Sequence, residues 1–474
     1  MAATRKNRDL TQGPVFGHLM RMVIPMSFGI VAMMLVGIVD AYWVGRLGTV
    51  EQAAVQFVFP VSMAVMSIAI GLGAGAVSVV ARAAGRGDGE RTKRVATDAV
   101  VLALIVTAIT SGLGMIFIEP VFRLMGATDA MMPHVRDYML IWFAGIIFMV
   151  GPMIASNILR ALGDAILPSL IMIIAAVLNM ILDPILIFGL GPIPAMEVQG
   201  AALATLISNM VVFIIAMWIM IFREKIIDLS WPGFSEMLWN WREVARIGAP
   251  AAGSNMINPI AMTLVFAAAA RFGEPVVAGF GVAGRVEALA LIPLFALSGS
   301  IGAITGQNGG AGQVTRVREA FRSAFLFCVG WGAAMAVVLA LLAYPLAWLF
   351  LPSEEAREMA RLTWWIAPVT MGGYGIAMAA SAGFNGLGRP LLGVAINLMR
   401  GFGLLVPLVW LGSTLFGPAG LISGYALTNV VAGVVIAFLV LRYAPMTALE
   451  SKARRPVVPP TQAAKAGAPV RPGE

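Results

Sequence analysis

Asn179 and Asp183 stand four residues apart in LNMILDPILIFG, inside a long apolar run and directly ahead of Pro184. Four residues make about one turn of helix, so the amide and the carboxylate share a face. An aspartate in hydrocarbon costs roughly 2.5–3.5 kcal/mol on insertion scales unless it meets a partner or water. Two more polar residues interrupt apolar runs in the same half of the chain, Asp40 in LVGIVDAYWVG and Thr205 in QGAALATLIS. Two carboxylates, an amide and a hydroxyl can ligate a hard cation such as Na⁺ through oxygen, or hold a proton between the two acids. Either chemistry is that of ion binding.

The elements that position these residues are membrane helices. The chain has 474 residues, 59% hydrophobic and 12% charged, with a mean hydropathy of +0.89. A soluble domain is about 25% charged, so the composition is that of a polytopic membrane protein. A helical span needs about 20 apolar residues, and twelve segments qualify: 22–44, 52–81, 95–118, 136–159, 166–190, 199–222, 247–271, 275–306, 320–350, 362–388, 391–415 and 418–441. The fold class expected is therefore all-α with twelve transmembrane helices. Spans 1 and 5 run outward and span 6 inward. Asp40, Asp183 and Thr205 then lie roughly 6–10 Å below the external edge at 1.5 Å per residue, in one layer.

Net charge +8 raises the question of nucleic acid, but the placement of the charges answers it. Of 32 Lys and Arg, 24 fall in the termini and the even-to-odd loops, six in the opposite loops, and two, Arg285 and Arg400, inside spans. This is the positive-inside pattern, which puts both termini in the cytoplasm of a bacterial or archaeal plasma membrane and leaves no nucleic-acid face. No cleavable leader pattern precedes span 1, which is expected to stay as a signal anchor. The lone Cys328 excludes an internal disulfide. His18 and His134 fall at opposite ends of the membrane without metalloprotease spacing, so no enzyme, catalytic residue or cofactor is expected. The glycine-rich GLGAGAVS and GQNGGAG follow no strand and do not read as phosphate loops.

The two halves align at an offset of 225, pairing Pro25 with Pro250, Arg46 with Arg271, Gly85 with Gly310, Gly87 with Gly312 and Gly163 with Gly388. Beyond a shorter final external loop the offset is 220, pairing Gly200 with Gly420 and Asn209 with Asn429. A duplicated unit of six helices starts both copies on the same side, giving two parallel repeats, a transporter architecture. The division expected is 1–14 cytoplasmic segment, 15–225 N-lobe, 226–246 cytoplasmic linker, 247–442 C-lobe and 443–474 disordered tail. The second copy replaces Asp40, Asn179, Asp183 and Thr205 by Val265, Leu404, Leu408 and Tyr425. A purely structural set would not be confined to one copy.

The C-lobe has its own polar residues, Arg285 and Glu287 in span 8 and Arg400 in span 11. Arg285 and Glu287 are two residues apart and face different ways; Glu287 and Arg400 are expected to pair across the bundle. Pro25 within span 1 removes a backbone hydrogen bond and offers a hinge. The 30 methionines, Met33 and Met153 among them, suit an adaptable cavity wall, although most serve packing.

With IPMSFGIVAMMLVGIVDAYWVGRLGTVEQAAV, VSVVARAAGRGDGERTKR, NILRALGDAILPS, LNMILDPILIFG, GFGVAGRVEALALIP and GQNGGAG in this order, the chain resembles the multidrug and toxic compound extrusion (MATE) family, and within it the DinF-like branch. The resemblance spans residues 15 to 445. It implies a V-shaped pair of lobes, working as a monomer, that exports amphipathic, often cationic organic compounds in exchange for H⁺ or Na⁺. It also implies a proton or sodium site on Asp40, Asn179, Asp183 and Thr205, cavity positions at Tyr138 and Asn157, and a functional proline at Pro25. Coupling acids of the NorM-like branch in spans 7 and 10 have no counterpart. A lipid or lipid-linked saccharide flippase is the alternative, disfavoured because only Arg285 and Arg400 lie within spans to meet phosphate.

Overall fold

The computed structural model describes residues 9–228, 230 and 233–453. The helices are α1 (Val15–Gly45), α2 (Thr49–Gly85), α3 (Gly89–Leu124), α4 (Met132–Ala161), α5 (Ile166–Phe188), α6 (Glu197–Trp218), α7 (Phe234–Ala270), α8 (Glu274–Ala290), α9 (Ile292–Gly310), α10 (Val314–Phe350), α11 (Glu354–Gly386), α12 (Pro390–Leu398) and α13 (Val406–Ala453). Wider π-helical turns follow α6 at Ile219–Arg223 and join α12 to α13 at Met399–Leu405. Closing every backbone bond within one helix is the condition for lying in lipid.

Nine of the described helices are long and apolar enough to cross a bilayer. The bent pair α8 and α9 makes another crossing, with 48° between its halves. Span 8 was expected to be continuous; Pro293 in the first turn of α9 withholds its N–H from Leu289 and breaks it there. The run ending in α13 crosses twice, since Gly417 (φ 63°, ψ −145°) folds it back on itself. The arms of this hairpin meet so closely that a Cβ on Gly420 would stand 1.9 Å from the Gly412 carbonyl oxygen. With α11, 33 residues long but charged at its start, twelve crossings result among the described residues.

Two lobes are evident. In the first, α1 packs on α5, α4 on α3 and α6, and α5 on α6; in the second, α11 packs on α8, α9, α10 and α13. Between them α2 packs along α7 and α9, and α1 also meets α9. The repeat shows in the backbone: Gly87 and Gly312 share φ near +75° (76° and 73°), as do Gly163 and Gly388 (84° and 75°). These glycines end helices at the edge of the bundle where most arginines gather, termed here the basic end.

Two boundaries differ from expectation. Residues 234–246 continue α7 instead of forming a linker, because Asn240 and Trp241 donate to the Asp98 carboxylate (2.5 Å) and carbonyl (3.0 Å) while Arg94 holds Asp98 at 2.6 Å. At the other extremity α13 extends helix through Ala453; residues 1–8 and 454–474 lie outside the described residues. Leu10 is buried, its N–H donating to Gln307 Oε1 at 3.1 Å and its carbonyl accepting from Asn308 and Arg316 at 3.1 Å each. The chain ahead of α1 is thereby tied to the opposite lobe.

The lobes close upon each other at the basic end with almost no side chain between them. A Cβ on Gly85 would stand 2.0 Å from the Gln307 carbonyl oxygen, and one on Gly310 would stand 2.3 Å from that of Arg82. Arg82 and Gln307 are themselves 225 residues apart, so this contact is reciprocal about the repeat axis. Gly85→Leu is expected to force the seal apart. Spin labels on Ala84→Cys and Ala311→Cys, in a Cys328→Ser background, should show a longer inter-label distance by double electron–electron resonance; an unchanged distribution would refute this role of the glycine.

Candidate functional site

Near the end of the bundle opposite the basic one, α1 brings Asp40 against Asp183 of α5, within hydrogen-bonding reach of each other. Asp183 is fully buried and Asn179, one turn earlier, is 4% exposed. Asn179 donates to the Thr205 hydroxyl on α6 at 3.2 Å, and that hydroxyl donates to the Ala201 carbonyl at 3.2 Å. The three residues that depth assigned to one layer, with Asn179 a turn from Asp183, therefore meet as two contacting pairs on three helices. Pro184 follows Asp183 without ending α5.

The unsatisfied atoms here are all oxygens: Asp40 Oδ1, Asn179 Oδ1, and Asp183 Oδ1 and Oδ2 have no hydrogen-bond partner. Buried acceptors of this kind normally find a donor. Two facing carboxylates reach low energy when a proton or a cation lies between them. Asp40 also borders a cavity of about 340 Å³, lined in addition by Phe59, Ser62, Tyr138 and Trp142. Tyr138 and Asp40 line this cavity together.

The other expected cavity residues separate. Asn157 lies in a different cavity, between the lobes, beside Arg160, Ser254 and Asn385. Met153 is half-buried packing whose carbonyl accepts from Asn157 at 2.9 Å. Met33 is 39% exposed on α1, seven residues from both Met26 and Asp40 and hence on their face, but it lines none of these cavities. Pro25 lies inside α1, ten residues past its start.

Glu287 and Arg400 do not form the expected ion pair. Glu287 Oε1 accepts instead from the Tyr425 hydroxyl at 3.2 Å. Arg400 donates to Asn258 and Asn429, each at 3.1 Å, and sits over the Tyr374 ring at 4.2 Å. The wide turn at Met399–Leu405 carries Arg400 to these amides, while Arg285 is exposed. Repeat arithmetic explains the arrangement: Glu287 is the counterpart of Ser62, and Tyr425 that of Thr205, so the C-lobe meets its acid with a phenol. Arg160, Ser254, Ser298 and Asn385 had escaped the sequence reading, Arg160 because it counted as a loop charge. Its spacing of three from Asn157 on one helix was the available signal.

Two equivalent lobes around a polar cavity, with a buried acid pair in one of them, define a secondary transporter. The MatE family profile matches residues 25–185 and 250–411, blocks that begin at the two repeat prolines. The chain is 36% identical to the FAD transporter of Shewanella oneidensis over 92% of its own length and 97% of that protein's. It is 24% identical to the multidrug export protein MepA of Staphylococcus haemolyticus, over 90% of this chain and 94% of the relative. The Vibrio cholerae MATE transporter VcmN in its bent form superposes with a TM-score of 0.87 at 29% identity, covering 92% of this chain and 98% of that one. The chain belongs to the MATE family of membrane transporters, cation-coupled exporters of organic compounds that work by alternating access.

The C-lobe geometry makes its own prediction. Tyr425→Phe removes the hydrogen bond to buried Glu287 and should destabilise the protein by about 1–3 kcal/mol, seen as a lower melting temperature in detergent. Exchanging the charges, Glu287→Arg with Arg400→Glu, should not restore what either single change loses, since the partners of each are neutral.

Proposed function

We propose that the protein exports an organic compound in exchange for protons, with Asp40 and Asp183 as the coupling pair and Asn179 and Thr205 holding Asp183 and its helix in place. The observation that carries this reading is the direct approach of the two carboxyl groups, whose facing oxygens have no other donor. A Na⁺ ion would spread these oxygens to ligate it; a proton fits between them as they stand. Basic residues gather at the sealed end, so that end faces the cytoplasm, and the acid pair is loaded from outside through the cavity at Tyr138. The missing coupling acids in spans 7 and 10 favour the DinF-like branch, and we read the working unit as a monomer of an N-lobe and a C-lobe.

Coupling requires proton and cargo to bias the two arrangements of the lobes differently. Asp40 and Pro25 share α1, fifteen residues apart, so protonation at one end of the helix can select its bend at the other. Identity with the Shewanella FAD transporter makes FAD the first cargo to test, beside the cationic dye ethidium.

Purified protein in liposomes, given pH and Na⁺ gradients separately, provides the test. Export should follow the pH gradient alone. Asp40→Asn and Asp183→Asn should each abolish uphill export while the protein still elutes as a folded species, and Pro25→Ala should slow it several-fold. Export driven by Na⁺ without a pH gradient, or surviving in Asp40→Asn, would overturn the assignment.

A further inference from the structure

Just above the glycine seal lies a cavity of about 200 Å³ to which both lobes contribute: Asn157 and Arg160 of α4, Ser254 and Asn255 of α7, Ser298 of α9, and Asn385 of α11 among them. Arg160 is its charged group. The guanidinium donates to Asn157 Oδ1 and, at 3.6 Å, to the Met26 sulfur, both neutral. Its buried Nε has no partner, and no carboxylate pairs with it among the described residues. Three nearby arginines do meet acids, Arg82 and Arg91 at Glu243, each at 3.3 Å, and Arg94 at Asp98 at 2.6 Å.

We propose that this cavity is the seat of an anionic group, a phosphate or carboxylate, on the exported compound, with Arg160 as its principal contact. This rests on the reading of the chain as an exporter and assigns the charge of its cargo. A half-buried guanidinium with no carboxylate beside it repels cations and presents a planar fork of N–H donors that matches the oxygens of phosphate or carboxylate. The surrounding groups suit an anion as well. Ser254 accepts from Asn397 Nδ2 at 2.6 Å, and Ser381 accepts from the same amide at 3.3 Å, which leaves the proton of each hydroxyl free to donate.

Gly299 faces the guanidinium: a Cβ there would lie in ordinary contact, 3.9 Å from Arg160 Nη1, with no clash. Pockets that enclose whole drug-sized ligands run to about 300–1,000 Å³, so about 200 Å³ receives the charged part of a larger molecule whose remainder lies in the cleft. Because both lobes wall it, the seat is intact only while they are closed at the basic end. An anion bound there favours that closed state, the differential binding that alternating access needs.

FAD and riboflavin isolate the charged group, since they share the flavin and only FAD carries the diphosphate. Binding of each to protein in phosphatidylcholine nanodiscs should favour FAD by at least tenfold. Arg160→Gln should collapse that preference at least tenfold, and Arg160→Lys should keep part of it. Gly299→Asp, which sets a carboxylate before the guanidinium, should collapse it too and serves if Arg160→Gln fails to fold. Asp40→Asn should retain the preference while losing uphill export; wild-type protein that prefers FAD yet exports nothing under a pH gradient would refute the exporter reading and not the anion seat. The proposal falls if wild type shows no preference, or if the preference survives Arg160→Gln and Gly299→Asp within twofold. It falls also if phosphatidylglycerol in the nanodiscs displaces FAD from wild type but not from Arg160→Gln, since the seat would then belong to a lipid headgroup.

Discussion

Where α2 crosses α9, backbone lies against backbone, and the rest of the molecule depends on that approach. A Cβ at Gly85 or Gly310 would fall 2.0 Å or 2.3 Å from a carbonyl oxygen across the interface. In lipid there is no hydrophobic force to drive helices together, so close packing through small residues and interhelical hydrogen bonds must do it. Ser78 adds one such bond, donating to the Gly386 carbonyl at 3.1 Å. Around this contact, Arg82 and Arg91 reach across to Glu243, and Leu10 is threaded between Gln307 and Asn308. A joint made of glycine surfaces and part-exposed ion pairs can come apart without leaving a large apolar face in water. That is a physical requirement for two lobes that alternate.

The same joint creates the interlobe cavity. Its residues come from α2, α4, α7, α9 and α11 and converge because the seal beneath them holds both lobes at one distance. The acid pair, by contrast, is built within one lobe by α1 and α5. The acid pair and the interlobe cavity are thus separate, linked by α1, which carries Asp40 near one end and Met26, a neighbour of Arg160, toward the other.

Duplication supplied the scaffold and divergence its chemistry. Asp40, Asn179 and Asp183 carry polar oxygens in one lobe, and their counterparts Val265, Leu404 and Leu408 carry none in the other. The C-lobe answers with a different network, Glu287 on Tyr425 and Arg400 on Asn258 and Asn429, and distorts its helix to a π form to make it. The N-lobe counterpart of that stretch, within α5, is regular helix. The C-lobe thus bonds its buried acid and arginine to neutral partners, while the N-lobe leaves the facing oxygens of Asp40 and Asp183 without a hydrogen-bond donor.

The number and type of the elements, the repeat and the nearness of Asp40, Asp183 and Thr205 were legible in the residues, for a common reason. Hydrocarbon penalises every polar atom, so span lengths, positive-inside bias and stray acids such as Asp40 and Asp183 leave a strong signal along one dimension. Pairing was not legible. Depth put Glu287 near Arg400, but nearness does not fix contact: Tyr425 and Asn429 stand as their hydrogen-bond partners in place of a direct ion pair. Nor could periodicity tell that spans 11 and 12 run together except for Gly417, or that span 8 breaks at Leu291, since φ/ψ choices at single residues are decided by packing. Arg160 is the sharpest case. By sequence it was a loop charge at the end of span 4; the structure turns it into a cavity shared by two lobes, because only the tertiary contact of α2 with α9 brings α7, α9 and α11 around it. The sequence by itself determined which groups must be solvated inside the membrane, and the tertiary structure decided by which neighbours.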